Sequence, residues 1–442
     1  MPGRPRHRAH NRTYTRRSFI KTSAAAGAAL ATGPVFAPAV HAQARPIKIG
    51  YVSPATGPLA PFAAADEFML QQFRQATKGG LKVGNATRPI EVLLRDSQSN
   101  PNRAADVAKT LIVNDKVDLM LVGNTPETTN PVCIQAESEE VATVSSLAPW
   151  QPWFFGQQGN PAQPRQFNYV YHYFWGLEDV IAVFTNMWGQ LNTNKTVAAL
   201  FPNDADGNAW GDKERGFPPE LAKQGYKLVD PGRYQNLTDN FAAQIAAFKN
   251  ANAQILTGVV LPPDFTTFWK QALQQGFKPR AASVGKAILF PSSVEALARD
   301  GHNLSSEVWW TPSHPFKSSI NGMTARQLAD AYTAATKRQW SQPIGFAHSL
   351  YEVALDVLKR TKEIGNGRAT AEAIRATKLD TVVGHIEWNG RGLPPFAARN
   401  VTKTSLVGGQ WRVRDGNRYD IVITDNRTAP NIPVGGKMEP IA

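Results

Sequence analysis

Apolar residues along this chain fall into short β-branched runs separated by amphipathic stretches, and the alternation begins at Pro46. Residues 47–52 read as a strand and 64–77 as a helix stopped by Gly79-Gly80. A second strand covers 90–94, and Asn100-Pro101 opens a helix over 102–115 with Val107, Leu111 and Ile112 on one face. A strand at 117–122, a helix at 131–140 and a strand at 142–144 follow. Such an order predicts a parallel sheet covered on both faces. An aromatic stretch over 150–164, rich in Pro, Gly and Gln, reads as loop. The alternation then resumes, with strands at 197–200, 226–229 and 254–260 and helices at 218–224, 241–250 and 265–275. A third portion has a short strand at 308–310 and helices at 325–338, 349–361 and 369–376, before a tail from 379 rich in β signals, Gly and Pro. The pattern is α/β, with two lobes.

Ahead of this alternation lies an address. Arg16-Arg17-Ser18-Phe19-Ile20-Lys21, a weakly apolar run over 23–36 and the small residues near Ala42 and Ala44 make a twin-arginine export signal, removed after Ala42 or Ala44. The mature protein is therefore expected in the periplasm, soluble and without a lipid anchor, since no cysteine lies near either cleavage point. The formal charge of +13 shrinks once the signal leaves: seven of the 48 basic residues precede residue 44, against 35 acidic residues all beyond it. What remains is scattered, and no nucleic-acid-binding pattern accompanies it. The single cysteine, Cys133, excludes an intramolecular disulfide, and His172, His302, His314, His348 and His385 lack ligand spacing, so neither metal nor cofactor is expected. Beyond the signal nothing is apolar for about 18 residues, as a membrane span requires. A Gly-x-Ser-x-Gly nucleophile elbow is also lacking, which argues against hydrolase chemistry and for a protein that is not an enzyme.

Several local motifs occur in a telling order: Ile47 to Gly50 with Thr56-Gly57-Pro58-Leu59-Ala60; Arg95-Asp96-Ser97-Gln98-Ser99-Asn100-Pro101; Asp115-Lys116-Val117-Asp118; Gln275-Gly276-Phe277-Lys278; and Asp380 to Trp388. In this order the chain resembles the extracytoplasmic solute-binding proteins of ABC importers, of the branched-chain amino-acid type. The resemblance implies a type I periplasmic-binding-protein (Venus flytrap) α/β fold, each lobe a mostly parallel sheet flanked by helices, with three crossings between lobes. These are expected near 166–175, 283–289 and 389–395. After a signal over 1–44, the first lobe would then hold 45–168 and 286–392, and the second 169–285 and 393–442. The implied role is a monomeric receptor that hands a small-molecule solute to ABC transporter permease subunits in the membrane.

The resemblance also nominates ligand-binding residues. Thr56 stands in the turn after the first strand, and Phe62 follows where an aromatic covers the ligand. Thr128 lies in a hydroxyl-rich loop at a helix start, where free N–H groups favour a carboxylate. Ser145, Ser146 and Trp150 belong to the next strand's loop. Tyr171 and Tyr173, with Trp175, share one face of the first crossing. Trp210 and Phe346 complete an aromatic set. Lys286 falls where amino-acid binders carry an acid; at about 4 Å and an effective dielectric near 20 it would repel an ammonium by about 4 kcal/mol. Asp264 is an alternative acid. Asp204, Asp206 and Asn208 have the spacing that opens a calcium loop, without its closing glutamate. The expected ligand is a small organic acid with an apolar or aromatic body; an amino acid or amide, and a role in sensing rather than transport, stay open.

Overall fold

The computed structural model describes residue 3 and residues 45–163 and 167–441; the rest of the export signal, its cleavage points, and Gln166 at the start of the expected first crossing lie outside the described residues. The first seven strands are β1 (Ile47–Ser53), the hairpin β2 (Leu81–Val83) and β3 (Ala86–Arg88), β4 (Ile90–Asp96), β5 (Leu119–Gly123), β6 (Thr143–Ser146) and β7 (Val170–Tyr173). Next come β8 (Thr196–Leu200), β9 (Lys227–Val229), β10 (Ile255–Val259), β11 (Ala281–Gly285) and β12 (Ser305–Val308). The hairpin β13 (Lys378–Thr381) and β14 (Gly384–Glu387), then β15 (Val401–Thr402), β16 (Val407–Val413) and β17 (Tyr419–Asp425) complete the set.

Two sheets carry the molecule, ordered β15-β7-β6-β5-β1-β4 and β17-β16-β12-β11-β10-β8-β9. The first is parallel throughout, and the second is parallel except at β16 and β17. Parallel strands are covered by helices on both faces, so they read as continuous apolar runs; β5, β10 and β11 are buried at every position. Gly50 lets β1 lie against its neighbour, because a Cβ there would sit 2.5 Å from Met120 Sδ. The helix Pro101–Lys109 starts as expected, Asn100 accepting a hydrogen bond from the Arg103 N–H at 3.0 Å with proline in the first turn. None of the helices among the described residues is long and apolar enough to cross a membrane.

The first crossing falls at the end of its expected window, and the other two fall elsewhere. The chain leaves the first sheet after Tyr173 and enters the second lobe with the helix Leu177–Trp188, whose Trp188 indole donates to Ser283 Oγ at 2.8 Å. Residues 283–289 do not cross: β11 pairs with β10 and β12 inside the second sheet, and Lys286, at φ +66°, makes a tight turn closed by the Ala287 N–H to the Gly285 carbonyl. The second passage lies after Val308 and before the helix Pro343–Arg360. Residues 389–395 do not cross either, because β15 still pairs with β7; the chain passes to β16 only over 403–406. By sheet membership the first lobe takes 45–173 and 343–402 and the second 177–308 and 407–441, so the expected boundaries at 285/286 and 392/393 move. The first and third crossings are short pieces with no hydrophobic period of their own, while the second spans 309–342 and includes the helix Ala325–Thr336.

The aromatic stretch expected as loop folds as a helix, Trp150–Gly156, burying Trp150, Trp153 and Phe154 in the first lobe's core. The helix Pro343–Arg360 begins six residues before its expected start and is buried along most of its length, as an apolar helix between other layers must be. Its Phe346 packs on Tyr173, Phe174 and Trp309, with ring centroids 6.1, 5.1 and 5.4 Å away. Replacing Phe346 by Ala is expected to lower the unfolding free energy by about 3–5 kcal/mol in urea titrations.

Candidate functional site

In each sheet the carboxyl ends of the parallel strands carry loops toward the other lobe, and between them lies a small cavity of ≈ 20 Å³. From the first lobe come Phe62, Thr125 after β5, and Leu147 and Pro149 after β6. The first crossing supplies Phe174 and Trp175. The second lobe adds Asp206, Trp210, Val259 at the end of β10, Lys286 and Leu289 after β11, and Glu307 and Trp309 at the end of β12. Open α/β sheets gather ligands at this end of their strands. A space this small is less than an aromatic acid fills, so a solute enters with the lobes parted along the crossings.

Lys286 is the electrostatic centre. Its ammonium, 4 % exposed, lies 3.0 Å from Asp206 and 3.5 Å from Asp204 in its own lobe, and 3.4 Å from Glu127 of the first lobe. Burial works to lower its pKa, but the carboxylates of Asp204, Glu127 and Asp206 outweigh burial and hold it well above the ordinary lysine value. The opposite problem falls on the acids, since one cation faces three carboxylates. Burial, with Glu127 and Asp204 adding their repulsion against the pull of Lys286, pushes Asp206 up to about 8. Glu307 accepts the Lys286 backbone N–H at 3.2 Å and the Ser306 hydroxyl at 2.9 Å, and burial raises it to about 7. The expectation that Lys286 offers a free positive charge to an anion is therefore corrected: its charge is already answered by the acids around it.

Local folding explains why these groups meet. Asp204 caps the short helix Ala205–Trp210, accepting the Gly207 N–H at 2.8 Å, which places Asp206 in its first turn and Trp210 at its end. Asp204 and Asp206 thus serve as cap and lysine partner rather than as the start of a calcium loop. Gly285 leaves room for the Trp210 ring, which a Cβ would approach to 2.8 Å, and the ring stacks on Phe217 at 4.8 Å. Phe62 meets Phe290 edge-on at 4.9 Å. Phe174 packs on Trp175 at 4.7 Å and on Trp309 at 5.2 Å.

The cavity wall also carries polar atoms left over. The indole N–H groups of Trp175, Trp210 and Trp309, the Thr125 hydroxyl and Asp206 Oδ1 are buried and have no hydrogen-bond partner among the described residues. An indole only donates, and a buried donor without a partner costs about 1–3 kcal/mol. These unpartnered donors belong to residues that line the cavity.

Of the residues nominated from the sequence, Phe62, Trp210 and Lys286 line the cavity. The others lie apart from it. Thr56 is exposed, its hydroxyl donating to Asp96 at 2.7 Å. Thr128 is buried one turn into the helix Pro126–Ser138, behind Thr125. Ser145 donates to the Tyr171 carbonyl and contacts His172 Nδ1 at 2.9 Å, while Ser146 donates to the Tyr173 carbonyl at 2.6 Å. Trp150 donates to Glu178, Tyr171 packs on Trp388, and the Tyr173 hydroxyl meets Ser349. Phe346 backs Phe174 and Trp309 from the core. Asp264 accepts the Leu237 N–H at 3.0 Å, away from the cavity. Trp175, named with Tyr171 and Tyr173 on the face of the first crossing, lines the cavity, whereas Thr125, Phe174, Glu307 and Trp309 were missed, although each stands at or just beyond the carboxyl end of a strand, which is the signal that could have found them.

The described geometry agrees with comparisons across known proteins. The periplasmic binding protein family model matches residues 46–400, and the twin-arginine translocation signal model matches 13–33. No curated protein sequence matches the chain. Among solved structures, the branched-chain amino acid transporter substrate-binding protein LivJ from Streptococcus pneumoniae, in complex with isoleucine, is 17 % identical with a TM-score of 0.65, covering 86 % of this chain and 99 % of its own. An ABC transporter solute-binding protein from Rhodopseudomonas palustris BisB5, in complex with 3,4-dihydroxybenzoic acid, is 18 % identical with a TM-score of 0.67, covering 87 % and 99 %. A second R. palustris solute-binding protein, in complex with 4-hydroxybenzoate, is 15 % identical with a TM-score of 0.67, covering 87 % and 98 %. With more than half of its length matched by the family model and a twin-arginine signal ahead of it, the chain belongs to the periplasmic binding protein family and is exported to the periplasm.

Proposed function

We propose that this protein is the solute-binding component of an ABC importer and captures a small aromatic acid between its lobes, by recognition without turnover. The observation that carries the reading is the set of unpartnered donors, Trp175, Trp210 and Trp309 indoles with the Thr125 hydroxyl, on a cavity walled by aromatic rings. The donors suit a carboxylate, the rings suit an aromatic body at about 0.5–1.5 kcal/mol per contact beyond burial, and the unpartnered Asp206 Oδ1 suits a hydroxyl. Hydroxybenzoates carry these three kinds of group, and two related folds hold such acids. In titration calorimetry 4-hydroxybenzoate is expected to bind the mature protein with Kd in the micromolar range or tighter, about 8 kcal/mol, with no altered product after incubation. The reading fails if leucine and isoleucine bind and hydroxybenzoates do not.

One observation favours an amino acid instead: the surplus of carboxylates about Lys286 would hold an ammonium. The pH profile separates the two. Asp206 and Glu307, at about 8 and 7, are largely protonated below neutrality and ionise as pH rises. Added negative charge repels a carboxylate, so affinity for an aromatic acid is expected to fall between pH 6.5 and 8.5, whereas an ammonium-bearing solute would bind more tightly over the same range.

Lys286 acts in this reading as the tie between lobes. Lys286→Met leaves Glu127, Asp204 and Asp206 buried without their cation, and is expected to cost about 3–5 kcal/mol of stability in denaturant titrations. Unchanged stability would mean that the three acids do not depend on it.

A further inference from the structure

Next to the cavity lies a second, larger space of ≈ 1260 Å³, open to solvent. The two share a wall. Pro61 and Ala63 line the outer groove while Phe62 between them lines the inner cavity; Phe290 lines the groove while Leu289 beside it lines the cavity. The edge-to-face pair of Phe62 and Phe290, one ring from each lobe, therefore stands between the two spaces.

The groove is basic. Arg326, Lys337, Arg338 and Arg418 line it, are exposed, and have no ion pair among the described residues. Arg414, also on its wall, is bound to Asp420 at 2.9 Å, and the acids Glu295 and Asp330 only partly offset the free cations. The first three cations come from the segment between the lobes and Arg418 from the turn joining β16 and β17 of the second lobe. Aromatic surface accompanies them in the half-buried Trp340, which meets Trp310 edge-on at 6.1 Å.

Resting on the reading of the cleft as an aromatic-acid site, we infer that this groove is an outer capture site for aromatic carboxylates, which loads the inner cavity past the Phe62–Phe290 pair. The inner cavity is poor in free positive charge because Lys286 is occupied by its acids. Attraction of an anion from solution thus falls to the groove, where field lines from several cations on low-dielectric walls raise the local concentration of anions and the association rate. Final affinity is set inside, and speed outside.

Stopped-flow tryptophan fluorescence on mature protein tests this with 4-hydroxybenzoate and its neutral analogue 4-hydroxybenzamide, comparing wild type with the triple variant R326Q/R338Q/R418Q. At low ionic strength the acid's association rate constant is expected to fall about fivefold in the variant with dissociation unchanged, the amide to be unaffected, and the gap to close at about 0.5 M salt. An association rate indifferent to the substitutions, an equal loss for the amide, or a change confined to dissociation would overturn the inference while leaving the cleft's ligand class standing. Absence of equilibrium binding of the acid to wild type overturns both. Thermal melting checks that the exposed substitutions leave the fold intact.

Discussion

Closure of the two lobes turns on one buried ammonium. Lys286 brings together Asp204 and Asp206 from its own lobe and Glu127 from the other. Charges removed from water this far must be paired and hydrogen-bonded. The cluster manages this by protonation as well as pairing, since Asp206 and Glu307 are raised toward neutrality by burial. The shut cleft is therefore a state with a definite proton content. A solute that enters must satisfy the same acids or be neutral to them.

Around this polar centre the aromatic residues divide into wall and support. Phe62, Phe174, Trp175, Trp210 and Trp309 face the cavity, while Phe217, Phe346 and Tyr173 hold them from behind. Ring-on-ring packing fixes where the three indoles sit and leaves their N–H groups without a partner among the described residues.

The order of the chain has a consequence for export. The first lobe's sheet is complete only when β15 pairs with β7, and its core needs the helix Pro343–Arg360, so neither lobe can close until nearly the whole chain is present. Contacts this distant in sequence form late and slowly. A route that carries proteins after folding, as the twin-arginine signal provides, suits such a topology.

Alternation of β-branched runs with amphipathic helices determined from sequence alone that the protein is α/β and two-lobed, because periods of 2 and 3.6 residues follow from backbone geometry and report burial wherever an element is long enough. The export signal was legible from its local composition as well. Only the tertiary structure decided the rest. Whether Trp150 or Trp175 faces the cleft depends on one turn of helix packing, and the helix Trp150–Gly156 took the first into the core. The role of Lys286 was settled by Glu127, 159 positions away. A side chain's charge can be read from its letter, but its effect on a ligand depends on which opposite charges lie within about 4 Å, and the fold alone brings those together.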